Sequence, residues 1–136
     1  MFRFLVASFM LLSAPALAQQ SAPEIPYDSV PDALKLPPDL YMGEAAGVAV
    51  NSKGHVFVFH RGGSSHGPAF ANTAAQLWEF DAAGKFVREI GKNLYGWSFA
   101  HAVRVDKDDN IWVIDKGSVM IVRFIPVGHV TMVIGR

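Results

Sequence analysis

The chain has 136 residues, with twelve basic and twelve acidic side chains, five histidines and no cysteine, and 51% of its residues are hydrophobic. Balanced charge removes the net positive field that a nucleic-acid or polybasic membrane surface draws on, so neither partner is expected. The lack of cysteine excludes a disulfide framework and thiolate metal sites, leaving histidine, carboxylates and carbonyls as the available metal ligands.

Residues 1–18 read as an export signal. Arg3 supplies the positive n-region, Phe4 to Leu12 an apolar stretch too short to span a bilayer, and Ala16-Leu17-Ala18 a small-x-small cleavage site. No stop-transfer pattern follows, which disfavours an uncleaved anchor. Cleavage before Gln19 leaves 118 residues (136 − 18) carrying eleven basic and twelve acidic side chains, a formal charge of −1. The expected location is periplasmic or secreted, with no membrane attachment once the signal is removed.

Residues 19–42 hold five of the eight prolines, Pro23, Pro26, Pro31, Pro37 and Pro38. Proline lacks a backbone donor and biases its predecessor toward extended geometry. This Pro-rich leader is expected to lie along something else, as a linker or an edge strand.

From Gly43 onward, short runs of β-branched and aromatic residues alternate with Gly, Asn and Asp turns. "GVAV", "HVFVF", "QLWEF", "KFVREI", "AVRV", "NIWVI", "MIVRF" and "VTMVI" make eight candidate strands. Only "PAFANTAAQLW" is compatible with a turn of helix, so the predicted class is all-β.

The eight strands are two copies of four. Gly47-Val48-Ala49-Val50-Asn51 and Gly54 to Val58 align at an offset of 55 with Ala102 to Asp106 and Asp109 to Val113. Leu77 to Phe80, Gly84, Phe86 and Ile90-Gly91 align at an offset of 44 with Ile121 to Phe124, Gly128, Val130 and Ile134-Gly135. The difference places an eleven-residue insertion directly after His60-Arg61. Such a four-stranded unit is the signature of a β-propeller blade, with blade one at about 43–91 and blade two at about 99–135.

Two blades leave two open sides, and exposed apolar faces mark an interface or an aggregation liability. The ending at Gly135-Arg136, where a blade finishes, favours a fragment of a longer reading frame. The alternative is that further blades come from self-assembly or a partner.

Comparison of the copies singles out candidate site residues. His101 falls opposite Ala46, and Arg61 opposite Lys116. His101 shares the parity of Val103 and Val105 at the start of an innermost strand, where an imidazole is a candidate ligand. The bland readings are a solvated histidine and an arginine whose head reaches water. Gly62 to Ala75 forms the natural substrate-facing loop, and His60, of opposite parity to Arg61, is expected to be structural.

Three lookalikes fail. Gly63-Ser64-Ser65-His66-Gly67 lacks the strand-turn-helix of a nucleophile elbow. Asp106 to Asn110 begins like a calcium loop, but Ile111 replaces its glycine and Gly117 its bidentate Glu, so a hairpin turn is expected. Trp78, Trp97 and Trp112 read as packing rather than a carbohydrate platform.

The unit "GVAVNSKGHVFVF…LWEFDAAGKFVREIG" resembles the NHL type of propeller repeat. More narrowly, "GVAVNSKGHVFVFHRGG" with "GKNLYGWSFAHAVRVDKDDNIWVID" resembles the peptidyl-α-hydroxyglycine α-amidating lyase family. The resemblance implies a six-bladed parent that cleaves a peptidyl-α-hydroxyglycine into a peptide amide and glyoxylate. It implies a zinc held by three histidines from different blades, with His101 as one of them, and an active-site arginine at Arg61. It also implies a calcium held partly by the backbone carbonyls of Val48 and Val103.

His55, His60, His66 and His129 match neither of the other zinc histidines, and the motif bearing the family's catalytic tyrosine is not found within the 136 residues. The chain alone is therefore expected to lack lyase activity. The competing expectation is a non-catalytic exported scaffold or binding module, since the fold hosts many functions.

Overall fold

The computed structural model describes residues 22–62 and 74–135. The export signal, most of the inserted loop with His66 and the G-x-S-x-G lookalike, and the greater part of "PAFANTAAQLW" lie outside them. Among the described residues all regular structure is β, and no helix is long and apolar enough to cross a membrane.

Eight strands form: β1 (Ala45–Val50), β2 (Val56–His60), β3 (Gln76–Phe80), β4 (Phe86–Ile90), β5 (Ala100–Val105), β6 (Ile111–Asp115), β7 (Met120–Phe124) and β8 (Val130–Gly135). They pair as two four-stranded antiparallel meanders, β1-β2-β3-β4 and β5-β6-β7-β8, each with a blade-like order. The segments are short because a turn residue arrives after every five or six strand residues. Asn51, Asp81 and Asp106 each accept backbone N–H bonds two and four residues on, at 2.9–3.0 Å. Gly54, Gly84, Asp109 and Gly128 close four of the six hairpins, β1–β2, β3–β4, β5–β6 and β7–β8, with φ of 77°, 78°, 60° and 95°. That is the left-handed residue expected after a type I turn in a short hairpin. Asp106 to Asn110 is one of these hairpin turns.

Each sheet has two faces, and the repeat gives them matching composition. The front of the first sheet carries Val48, Val58, Trp78 and Phe80, and the front of the second Val103, Val113, Val122 and Phe124. The back of the first carries Phe57, Phe59, Leu77 and Ile90, and the back of the second Trp112, Ile114, Ile121 and Ile134. The main core joins the back of the first sheet to the front of the second, with Trp97 from the connecting segment wedged at its edge. The Trp97 ring lies 5.0 Å from Phe59 and 5.9 Å from Phe124, centroid to centroid. The sheets therefore stack in one sense, the front of the later on the back of the earlier.

β5 packs against β1 and β2, and Gly47 lies against Ala102 and Val103. A Cβ there would stand 2.9 Å from the Val103 nitrogen, so glycine is what lets the two first strands meet.

One of the two open sides expected from the sequence is covered over β2 to β4, while Val48 on β1 stays 54% exposed. Leu34, Leu36, Leu40 and Met42 of the leader pack on Val58, Trp78 and Phe80, forming a second core on the front of the first sheet. Lys35 fixes the register, donating its N–H to the Gly84 carbonyl at 2.7 Å and accepting from Phe86 N–H at 3.2 Å. Pro31 and Pro38 begin turns in the segment, the second closed by Leu40 N–H donating to the Pro37 carbonyl at 3.1 Å, and its leucines supply the apolar contact. Replacing Leu36 and Leu40 together with Ser is expected to lower stability by about 2 kcal/mol. Urea unfolding checks this: a leader without a packing role would leave the midpoint unchanged.

Candidate functional site

The end of the sheet pair where β2 exits and β5 enters gathers Arg61, Phe99, Ala100, His101, Asp115 and Lys116. Arg61 follows the last residue of β2, and its backbone N–H donates to the Glu44 carbonyl at 2.9 Å. Its side chain crosses to the second sheet: Nε donates to the Ala100 carbonyl at 3.3 Å, and the guanidinium lies 3.9 Å from the centre of the Phe99 ring. Nη1 meets Glu44 Oε1 at 2.7 Å. The Glu44 side chain is 60% exposed, so the pair contributes little to stability and an incoming anion can displace it cheaply.

His101 is exposed and sits in a β-bulge. Ala100 pairs with Asp115 and Ala102 with Ile114, which leaves His101 as the extra residue. Ala46 is the extra residue of the same bulge in β1, so the irregularity belongs to the repeat. The bulge breaks the alternation on which the parity argument relied. His101 lines a cavity of about 360 Å³ with the back-face residues Ile114, Ile121 and Ile134, whereas Val103 is buried on the front. Arg61 and His101 are thus brought to neighbouring backbone positions at one junction.

Asp115 organises this junction, and sequence reasoning gave it no role. It is buried, and its carboxylate accepts N–H bonds from Ser98, Phe99 and Ser118 at 2.9–3.0 Å. It occupies the repeat position of His60, and that imidazole-to-carboxylate change was the available signal. Asp115 holds the strand start that presents His101, and Ala100 lies in the same entry.

His60 is structural, as expected from its parity. It is buried, its ring stands edge-on to Trp78 at 4.1 Å, and Gly43 N–H donates to Nδ1 at 3.3 Å. Burial pushes its pKa below the usual value near 6.5, with the Arg61 backbone partly opposing that shift. In the β5–β6 turn, hydrogen bonds from Trp112 and then Asn110 hold Asp106 down to about 2.

Among the described residues no three His, Cys, Asp or Glu side chains converge to hold a metal. One imidazole does not make a zinc centre, so the residues present do not fit zinc by themselves. Of the two carbonyls named for calcium, that of Val103 accepts from Arg104 Nη1 at 2.8 Å. No protein-family model matches the chain, and no curated protein matches it.

Two measurements follow. Asp115→Ala leaves three N–H groups without their acceptor, that of Ser98 buried and those of Phe99 and Ser118 part-buried, and is expected to cost about 2–3 kcal/mol. Amide exchange should accelerate at Ser98, Phe99 and Ser118; unchanged protection there would contradict the role given to Asp115. His60 binds its proton more weakly folded than unfolded, so its contribution is complete above pH 6.5 and is lost as pH falls through the lowered folded value. Urea midpoints between pH 7.5 and pH 5 should fall more steeply for the native chain than for His60→Leu, and parallel curves would contradict it.

Proposed function

We propose that the chain is a two-blade section of an NHL-type β-propeller, exported to the periplasm or secreted. Its parent is a six-bladed lyase of the peptidyl-α-hydroxyglycine α-amidating kind. The observation that carries this reading is the sense of stacking. Two copies of one four-stranded meander pack front to back, and Arg61, which precedes the inserted loop, bonds the carbonyl next to His101. A repeated unit packed in one sense is what a propeller needs, since each blade then offers its successor the face that it occupied on its predecessor.

In the parent, the substrate is a small peptide-like hydroxyglycine. Arg61 offsets negative charge near the reacting centre, releasing Glu44 as it does so. His101 supplies one of three zinc-binding imidazoles, and blades other than these two supply the rest. Zinc, when bound, would polarise the substrate hydroxyl. Because the chain contributes one imidazole, it is inactive alone.

A second reading, a non-catalytic exported scaffold, is favoured by the way Arg61 is already engaged by Glu44, Ala100 and Phe99. Zinc content and glyoxylate release separate the two. The purified chain is expected to release no more glyoxylate from a peptidyl-α-hydroxyglycine than its His101→Ala variant. An assembly that supplies further blades is expected to bind stoichiometric zinc and to lose it with His101→Ala. Activity of the isolated chain above that control contradicts the proposed incompleteness, and a metal-free assembly supports the scaffold.

A further inference from the structure

The back of the second sheet is uncovered, and the chain itself shows what that kind of face packs against. Phe59 and Ile90 on the back of the first sheet are 0% and 2% exposed, because the front of the second sheet covers them. Their repeat equivalents Ile114 and Ile134 are 39% and 51% exposed. The same apolar positions are thus filled in both copies and buried in one.

The polar contacts across the existing interface share a direction. Ser52 donates N–H and O–H to the Asp109 carboxylate at 2.9 and 2.6 Å. Arg88 donates to the Val127 and Pro126 carbonyls at 2.6 and 2.7 Å, and Arg61 to the Ala100 carbonyl at 3.3 Å. Among the described residues every such anchor donates from the earlier sheet to the later one.

On the open back, Lys107 holds the place of Ser52, Lys116 that of Arg61, and Arg123 that of Glu79, beside Met132 in the place of Arg88. Arg104 stands where the first sheet has Ala49. The apolar centre is therefore rimmed by cationic donors, of which Lys107 is paired locally with exposed Asp108 at 2.8 Å. Ala102 replaces Gly47, so an incoming first strand sits slightly farther off.

We propose that this face binds the front of a third four-stranded sheet, and that the partner's first hairpin carries a carboxylate, at the position of Asp109, that meets Lys107. The proposal deepens the propeller reading and rests on it. A second copy of the chain is a poor occupant because its leader already covers the front of its first sheet.

The test appends a second copy of residues 92–135 after Gly135, the repeat equivalent of Gly91, so that a Val-Val-Val-Phe front and an Asp109 carboxylate are delivered to the open back. The chain has no cysteine, so Ile114→Cys gives one thiol whose labelling rate reports burial. Labelling is expected to slow at least tenfold in the extended chain. Lys107→Glu should restore about two- to fivefold of it, the size of a rim ion pair, and reversing Asp109 to Lys in the appended copy alone should slow it again.

Equal labelling in both chains, or appended strands whose amides exchange freely, would overturn the proposal. So would concentration-dependent protection of the thiol in the unextended chain, with a dimer by sedimentation, because the occupant would then be a second copy. Labelling at position 114 reads packing alone. Failure here leaves the zinc and glyoxylate tests undecided by it, and failure of those tests leaves the packing result standing.

Discussion

The contact of Phe57, Phe59, Leu77 and Ile90 with Val103, Val113, Val122 and Phe124 is the constraint from which the rest of the architecture follows. A large apolar side chain taken from water contributes about 1.5–3 kcal/mol, so this interface outweighs any polar group at its rim. An isolated four-stranded sheet of five- and six-residue strands has no such term on either face. Because the copies repeat, fixing which faces meet also fixes which remain. The front of the first sheet and the back of the second are left over, and the leader covers the former.

That arrangement explains the dual character of the junction residues. Arg61 is at once an inter-sheet anchor and a cation bonded to the carbonyl that precedes His101. Its Ala100 and Phe99 contacts hold it in place, while its exposed partner Glu44 is the one contact that an anion could replace. A rigid scaffold that presents a donor with one exchangeable partner is the usual footing for a binding surface. Asp115 maintains the scaffold from within, by spending its carboxylate on the backbone that enters β5.

Much of this was legible in the sequence. Strand boundaries followed from turn chemistry that is local: Asn51, Asp81 and Asp106 each bond their own hairpin, so the pattern of polar residues and the pattern of structure coincide. The repeat offsets identified equivalent positions, and parity opposite to Arg61 identified His60 as structural. Side-chain direction at His101 was not legible, because the bulge inserts one residue and shifts parity within Ala100-His101-Ala102 without any glycine or proline to announce it. The leader's role was hidden for a different reason. Its leucines gain meaning only against Val58, Trp78 and Phe80, and proline content signals extension without naming what the extended segment lies on. The anchoring by Asp115 is likewise a tertiary fact, set by three amides from two separate turns.

The most direct test of the front-to-back stacking is a set of nuclear Overhauser contacts in the isotopically labelled chain. The account predicts cross-peaks from the Trp97 ring to both Phe59 and Phe124, with the Trp78 ring contacting leader methyls of Leu34, Leu36 or Leu40. Cross-peaks joining Trp78 or Val58 to Val103 or Val113 would place the opposite face of the first sheet at the interface and contradict it.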